Sequence, residues 1–267
     1  MTRVFVWGAG RCGRSLANAL QHAGHEIVGT WNRTREAAEL GGDWPCFFGP
    51  ERPEALDRAE VVWITVLDGI LAEAAGRCLG PEHIALHAAG AEPAMRIRVA
   101  GALPRSVAAV HPLQSFAEPM AGPEHMTGVW FGIQGEDAAV RMGQKLVEDM
   151  RGHSFVVADE DAKALYHAAC CVASNAMVAL ADQAVGLFAA AGVDRADALA
   201  ALSPLISGTA ANLAGAAEAR DVLTGPIARG DEATVARHEA AIGRRVPEVL
   251  GDYQRVNAAI RRLVRGE

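Results

Sequence analysis

Short apolar runs recur through the first half of the chain and are separated by longer segments of mixed polarity. The runs Val4–Trp7, Val61–Val66 and Val107–Val110 contain few polar residues. A strand with one face in water alternates polar and apolar residues, whereas a strand covered on both faces is apolar throughout. Because such strands occur in parallel sheets with helices on each side, the pattern predicts a doubly wound α/β domain over residues 1–157.

Beyond residue 157 the pattern changes to alanine-rich segments with helical periodicity. Asp159 is a suitable N-cap for a long helix that ends near Ala191. A further helix begins at Asp194, and Pro204 is expected to interrupt it. The second half, residues 158–267, is therefore predicted to be an all-helical domain.

Two shorter features lie between the main strands of the first half. Cys46–Phe48 is apolar enough to form a short strand, although the surrounding segment has little pattern. Asp68 follows the run that begins at Val61 and is expected to cap a helix that ends at Cys78. Both features fit the alternation of strands and helices in an α/β domain.

The charge balance favours small-molecule chemistry. The 267 residues, enough for two domains, carry a formal net charge of -7. This charge gives no electrostatic attraction to nucleic acid or to an anionic membrane. The uncharged runs Ala164–Ala181 and Ala198–Ala217 contain polar residues and predict buried helices, because a membrane span would be more uniformly apolar. We expect a small-molecule substrate, no nucleic acid and no membrane partner.

The cysteines indicate neither a metal site nor a disulfide framework. None of the five lies in a C-x-x-C pair, and Cys170 and Cys171 are adjacent. The apolar stretch before the first glycines is too short for a signal peptide. A cytoplasmic protein without a bound metal is the expectation.

A glycine-rich turn follows the first apolar run directly. Its spacing is G-x-G-x-x-G, and helical periodicity begins immediately after it. Gly8 permits the tight turn, Gly10 lets the backbone approach a pyrophosphate, and Gly13 allows close packing of helix and strand. The free amides of the helix N-terminus would bind the phosphates. A dinucleotide is therefore expected to contact Gly8, Ala9, Gly10, Arg11, Cys12 and Gly13.

The end of the second predicted strand favours NADP(H) over NAD(H). An NAD site usually has Asp or Glu there to bind the ribose 2′-hydroxyl, but this chain has Asn32-Arg33-Thr34-Arg35. Asn32 removes a charge that would repel a 2′-phosphate, Arg33 and Arg35 supply cations, and Thr34 supplies a hydroxyl that could hold that phosphate. The alternative is that Arg33 and Arg35 are solvated loop charges. NADP is the predicted cofactor.

Doubly wound sheets bind their ligands at the carboxyl ends of the strands. Backbone groups of Thr65, Val66 and Leu67 lie at that end of one strand, and Ala88 lies at that end of the next. These residues are expected to border the cofactor. His87 precedes Ala88, and we favour backbone contact at Ala88 over chemistry by the imidazole.

Only two of the 25 basic residues are lysines, Lys145 and Lys163. A lysine in such an arginine-rich chain is a candidate for a position where an ammonium is required, since guanidinium does not give up its proton, whereas Lys145 lies on an ordinary amphipathic helix. Lys163 shares one helix face with His167, Cys170 and Ser174. Lys163 is the leading candidate for proton donor, and His167 is a secondary one. Alternatively, Lys163 is a solvated first-turn residue that pairs with Asp159 or Glu160.

Other polar residues are placed to bind or act on a substrate. His111 ends a strand at the expected ligand edge, where it serves as a secondary catalytic candidate or as a structural histidine beside a proline. Arg229 lies in a glycine-rich loop and is suited to a substrate carboxylate. The predicted substrate-binding residues are Gln114, Ser115, Ser174 and Arg229.

Together these motifs resemble a bacterial family of Rossmann-like proteins with a C-terminal helical domain of unknown function. This family is related to ketopantoate reductase, pyrroline-5-carboxylate reductase and 6-phosphogluconate dehydrogenase. The resemblance covers nearly the whole chain and implies an NADP-binding Rossmann domain, a helical substrate and dimerisation domain of the 6-phosphogluconate dehydrogenase C-terminal type, and a homodimer. Ketopantoate-type reductases carry Lys-x-x-x-Asn where this chain has Lys163 and His167. The motifs are Gly8-Ala9-Gly10, Val61–Asp68, His111–Phe116, Lys163–Asn175 and Thr224–Asp231.

The function predicted from the sequence is an NADP(H)-dependent reductase of a small oxo acid or imino acid. One alternative is an NADP-binding sensor or interaction module without turnover. Another is a deazaflavin-dependent NADP reductase. The substrate and the direction of the reaction are left open by the sequence.

Overall fold

A single eight-stranded sheet organises the first half of the chain. The computed structural model describes residues 1–99, 103–118 and 120–267. The strand order is β3-β2-β1-β4-β5-β6-β7-β8, with all neighbours parallel except the antiparallel pair β6 and β7. This order confirms the predicted doubly wound fold. The strands are β1 (Arg3–Trp7), β2 (Glu26–Asn32), β3 (Cys46–Phe48), β4 (Val61–Ile64), β5 (Ile84–His87), β6 (Ser106–Pro112), β7 (Trp130–Gly135) and β8 (His153–Val156).

Both faces of the sheet are covered, as the continuous apolar runs require. In β1, Val4 and Val6 belong to the core on one face, and Phe5 and Trp7 to the core on the other. All four side chains are at most 1% exposed. The helices are α1 (Arg11–His22), α2 (Arg35–Glu39), α3 (Leu71–Cys78), α4 (Asp137–Asp149), α5 (Glu160–Ala173), α6 (Asn175–Ala190), α7 (Arg195–Ala214), α8 (Glu232–Arg245) and α9 (Pro247–Arg265).

The chain forms two compact units, Met1–Cys171 and Val172–Glu267. The division falls inside α5, whereas the predicted boundary at residue 157 lies between β8 and α5. In the second unit α6 packs on α7, and α8 packs on α9. This unit is wholly helical in the structure, apart from its loops.

Several predicted helix boundaries are confirmed and others are wrong. Asp159 accepts a hydrogen bond from the Ala162 amide at 2.8 Å, as expected of an N-cap. The predicted long helix is divided at Ser174, and Pro204 lies inside the continuous helix α7. The helix continues through this position although proline removes one backbone hydrogen bond. Asp68 does not cap α3, because a short 3₁₀ helix precedes Leu71.

The prediction that Ala164–Ala181 and Ala198–Ala217 are buried is also wrong for the single chain. Across α5, α6 and α7 the buried residues are Lys163, Val185, Ala198 and Leu202. The alanine-rich pattern indicates an apolar helix but does not say what covers it. Large apolar side chains are instead exposed, namely Leu165, Val172, Met177, Val178, Leu180, Phe188, Leu199, Leu205 and Leu213.

One helical stretch among the described residues, Glu160–Ala190, is long and apolar enough to cross a membrane. Its most apolar 18-residue window has a mean hydropathy of 1.5. Length and composition are weak evidence, because apolar helices that pair with one another satisfy the same criterion. The stretch also contains Lys163, His167 and Asp182, which are costly to place in a bilayer.

Candidate functional site

Glycines after β1 bring the start of α1 against the end of β4. Gly8 has a φ of +110°, and a Cβ there would lie 2.9 Å from the carbonyl carbon of Thr65. A Cβ on Gly13 would lie 2.4 Å from Thr65 Oγ1 and 2.5 Å from the Gly8 carbonyl oxygen. Thr65 Oγ1 donates a hydrogen bond to that oxygen at 2.6 Å. The contact has no room for a side chain on either glycine.

A crevice of about 710 Å³ opens beside this contact, and we call it the sheet-edge crevice. Gly10 lies on it, and the nearest atom to a Cβ at Gly10 would be 4.0 Å away, so the backbone faces open space. Seven predicted cofactor residues line the crevice, namely Gly8, Gly10, Asn32, Arg33, Thr65, Val66 and Leu67. Six others do not, among the described residues: Ala9, Arg11, Cys12, Gly13, Thr34 and Ala88.

The segment after β2 is held in place by the side chains of Asn32 and Thr34. Asn32 Nδ2 donates to the Ala9 carbonyl at 3.0 Å, and Asn32 Oδ1 accepts from the Arg33 amide at 2.8 Å. Thr34 accepts from the Ala37 amide and caps α2. Thr34 thus has a structural bond that the sequence did not indicate, while the exposed Arg33 side chain lies on the crevice.

Arg77 is a crevice residue that the sequence analysis did not identify. Its guanidinium lies 5.0 Å from the centre of the Trp31 ring and 5.4 Å from that of Trp7. The two indoles stack at 4.2 Å. Arg77 also donates to the carbonyls of Gly49 and Pro50. The sequence offered no signal for Arg77, since the register that places Trp7 opposite Trp31 is seen only in the structure.

Lys163 is buried at the carboxyl edge of the sheet. Its side chain is inaccessible to solvent, and Nζ donates to the Ala89 carbonyl at 3.1 Å, just beyond the end of β5. Burial lowers the pKa of Lys163 from 10.5 to about 8, and the negative charges of Asp68 and Glu92 oppose this shift. The alternative of a solvated lysine paired with Asp159 or Glu160 is therefore wrong.

Three aromatic side chains join Lys163 at this edge. Tyr166 Oη lies 2.9 Å from His111 Nδ1, and the ring of His167 meets His111 edge-on with 5.4 Å between centroids. Lys163 Nζ is 5.4 Å from the centre of the Tyr166 ring. We call Lys163, Tyr166, His167 and His111 the edge cluster.

The protonation of His111 follows from its surroundings. Burial, with smaller effects of Lys163 and His167, lowers the pKa of His111 to about 4, so the imidazole is neutral. Burial raises the pKa of Tyr166 well above its usual range, so the phenol keeps its proton. Either partner can donate in this contact, and in the arrangement where the phenol donates to Nδ1 the ring proton of His111 is on Nε2.

Two glycines provide the space for the rings of α5. A Cβ on Gly90 would lie 2.1 Å from His167 Cδ2, and a Cβ on Gly132 would lie 2.7 Å from Tyr166 Cζ. Gly132 is the register partner of His111 across β6 and β7. The sequence signal for Gly90 was its position three residues after His87, and the signal for Tyr166 was its i,i+3 spacing from Lys163, which places both on one helix face.

His87 has a structural role at the end of β5. Its Nδ1 accepts from the Ala89 amide at 3.2 Å, and its Nε2 donates to the Pro93 carbonyl at 3.2 Å. Burial, supported by the charge of Lys163, lowers the pKa of His87 to about 3, so it is neutral. The ring fixes the turn that presents the Ala89 carbonyl to Lys163.

The four predicted substrate residues are spread over both units. Gln114 Nε2 donates to the His125 carbonyl at 3.4 Å, and Gln114 Oε1 accepts from the Ser115 amide at 3.0 Å. The Ser115 side chain is exposed. Ser174 precedes α6, and Arg229 is an exposed residue of the loop before α8 in the second unit. Among the described residues no group of metal-ligating side chains forms a metal site.

A family model described as a domain of unknown function, DUF2520, matches residues 129–260. No curated protein sequence matches the chain. Together with the solved structures below, the match confirms the resemblance to Rossmann-like proteins that carry a helical C-terminal domain.

Solved structures share the fold over nearly the whole chain. Protein TM1727 from Thermotoga maritima is 23% identical, with a TM-score of 0.75 and 98% coverage of both chains. A putative NADP oxidoreductase from Bacteroides fragilis is 19% identical, with a TM-score of 0.76 over 97% of this chain and 98% of that one. Pyrroline carboxylate reductase from Plasmodium falciparum, solved with NADP bound, is 9% identical, with a TM-score of 0.62 and the same coverage. At these identities the likeness shows the fold alone.

Proposed function

We propose that the protein is an NADP(H)-dependent reductase of a small oxo or imino acid. The chain combines a Rossmann-type sheet with a DUF2520 match over residues 129–260, which includes the last two strands of that sheet. The observation that carries this proposal is the buried ammonium of Lys163 at the sheet's carboxyl edge, beside a neutral histidine. One similar structure is described as a putative NADP oxidoreductase, and another is a reductase solved with NADP bound. Both descriptions support the cofactor assignment.

The sheet-edge crevice fits a dinucleotide phosphate. Gly10 exposes its backbone to open space, and the amides of the first turn of α1 are available to a pyrophosphate. Arg33 is exposed on the crevice and supplies a cation for a 2′-phosphate. No carboxylate occupies the end of β2, where it would repel that phosphate.

The edge cluster supplies the proton that reduction requires. The cofactor contributes a hydride to the carbonyl or imine carbon when it is bound. Lys163 has three N–H donors, of which one is used by the Ala89 carbonyl. Another can pass a proton to the oxygen or nitrogen that gains charge. His111 offers its Nε2–H as a hydrogen-bond donor that orients the substrate, and His167 is the alternative proton donor.

The experiment that tests the function is a screen of small oxo and imino acids for oxidation of NADPH by the purified chain. Turnover of at least one such acid, and none with the protein denatured, is the expected result. A protein that binds NADPH tightly but oxidises it with none of these acids would favour the sensor alternative.

Replacing Arg33 should change cofactor selectivity. Arg33→Ser is expected to weaken NADPH binding by about 10- to 100-fold, the worth of hydrogen bonds to a charged group, and to leave NADH binding nearly unchanged. Isothermal titration with each nucleotide measures both. Arg35→Ser is the control, since Arg35 packs over Phe48 and pairs with Glu39 instead of lining the crevice. Tighter binding of NADH than NADPH by the wild-type protein would contradict the assignment.

Tyr166 is proposed as a positioning residue for His111. Tyr166→Phe removes the donor to Nδ1, so His111 should become a mixture of tautomers and kcat should fall about tenfold, the effect of one hydrogen bond. NADPH affinity and the melting temperature should change little. Nitrogen NMR of the histidines measures the tautomers. A purely structural tyrosine would leave the His111 signals unchanged.

We also propose that the protein is a homodimer through its helical half. The exposed apolar residues of α5 to α7 are too numerous for a stable free surface, and Lys163, His167 and Asp182 on the same stretch do not suit a bilayer. A second copy of the chain would cover them. Sedimentation of the chain as a monomer at micromolar concentration would contradict this proposal.

A further inference from the structure

The second unit contains a cavity of about 830 Å³ that the reductase proposal does not use. It lies between the end of α6, helices α8 and α9, and the loop before α8. Its walls are largely apolar and include Leu187, Ile227, Ile242 and Ile260. This volume is in the range of small-molecule sites.

A buried amide on the cavity wall has an unused donor. Asn257 is 4% exposed, and its Nδ2 has no hydrogen-bond partner among the described residues. Buried polar groups are nearly always paired, because an unpaired one loses its hydration without compensation. An acceptor atom of a ligand in the cavity would supply the missing partner.

Other polar groups of the cavity are also suited to an acceptor. Tyr253 lies one turn from Asn257 on the same face of α9, and its hydroxyl is 2.8 Å from His238 Nδ1. When the imidazole donates to the hydroxyl oxygen, the hydroxyl proton is free for a ligand.

The charge of the cavity favours an anion. Arg244 and Arg245 line it, and its described lining contains no aspartate or glutamate. Arg245 donates to the Ala190 carbonyl at 2.8 Å. Arg244 has no ion pair within the described residues. The cavity thus combines apolar walls, a positive potential and a buried donor.

We propose that this cavity binds a small apolar carboxylic acid. The carboxylate accepts hydrogen bonds from the Asn257 amide and the Tyr253 hydroxyl, and the hydrocarbon part packs on Leu187, Ile227 and Ile260. Thr224, Pro226 and Ile227 of the glycine-rich loop form one wall, which gives this sequence motif a binding role. The site is independent of the redox chemistry proposed for the first unit.

The test uses 4-phenylbutyrate as the probe and its neutral amide as the comparison, by isothermal titration with NADP⁺ in excess to keep the probe out of the sheet-edge crevice. The acid should bind with a dissociation constant below about 1 mM, and the amide about tenfold more weakly. Absence of saturable binding in this range, or equal binding of acid and amide, would overturn the proposal.

Variants locate the binding. Ala241→Phe fills the cavity and should weaken binding of the acid by about tenfold or more. Ala240→Phe changes the neighbouring exposed alanine, which lies outside the lining, and should leave binding unchanged. Asn257→Leu should also abolish binding but keep or raise the melting temperature, because it removes an unpaired buried amide. Unchanged affinity of Ala241→Phe for the acid would show that the acid binds outside this cavity and would overturn the proposal. A change of oligomeric state in Ala241→Phe, without binding by the wild type, would show that a second copy covers the cavity.

Discussion

Lys163→Met is expected to lower kcat by about 100- to 10,000-fold, the usual contribution of a general acid, while NADPH binds as before. The ammonium is the one buried cation of the edge cluster, and it lies outside the lining of the sheet-edge crevice. Methionine fills a similar volume without burying a charge, so the fold should be kept. Steady-state kinetics with the best substrate of the screen and titration with NADPH measure the two effects.

The same assignment fixes the pH dependence of the wild-type enzyme. The pKa of Lys163 is lowered to about 8, so the ammonium is present below this pH and is lost as pH rises through it. The rate of reduction should therefore be level near neutral pH and fall above about pH 8. His111, with its pKa near 4, stays neutral over this range and adds no inflection.

The chain offers a matched control, because its other lysine, Lys145, is not part of the edge cluster. Lys145 is half exposed on α4 and pairs with Asp149. Lys145→Met should leave kcat and its pH profile unchanged. If Lys163→Met retains full turnover, the proton comes from elsewhere, and His167→Gln becomes the decisive variant. If the wild-type protein itself shows no turnover, the sensor alternative gains support.

Gly13→Ala is expected to lower the free energy of unfolding by about 2 to 3 kcal/mol, as overpacking of a rigid contact does. The new Cβ would lie 2.5 Å from the Gly8 carbonyl oxygen, which is backbone and cannot swing aside. The start of α1 would have to move away from β4, and the crevice would be distorted. Urea unfolding followed by circular dichroism measures the loss.

Gly10→Ala is the matched comparison within the same turn. A Cβ there meets nothing closer than 4.0 Å, and the φ of -75° suits alanine, so stability should be unchanged. The methyl group would project where the pyrophosphate must approach, and NADPH affinity should fall about tenfold or more. Loss of stability in Gly10→Ala, or normal NADPH affinity in it, would contradict the separate roles given to the two glycines.

The sheet could be predicted from the sequence because it depends on local patterns. The unbroken apolar runs around Val4 and Val61 identified strands covered on both faces, and even the short strand Cys46–Phe48 is present. The scarcity of lysine pointed to Lys163, which is buried against a backbone carbonyl as a functional ammonium would be. Its catalytic role remains a prediction.

What the sequence did not reveal depends on contacts between distant segments. Tyr166 meets His111 only because α5 lies against the end of β6, and its i,i+3 spacing from Lys163 does not reveal that contact. Arg77 reaches Trp31 across the sheet edge. The exposure of α6 and α7 was misjudged because an apolar helix looks the same whether its own chain or a second copy covers it.

The stacked indoles beside Arg77 also decide how the protein can be observed. All five tryptophans, Trp7, Trp31, Trp44, Trp63 and Trp130, belong to Met1–Cys171, so the helical half has no indole of its own. Tryptophan emission therefore follows the first unit, and NADPH bound next to Trp31 would quench it by energy transfer, whereas the second unit has only the tyrosine emission of Tyr253.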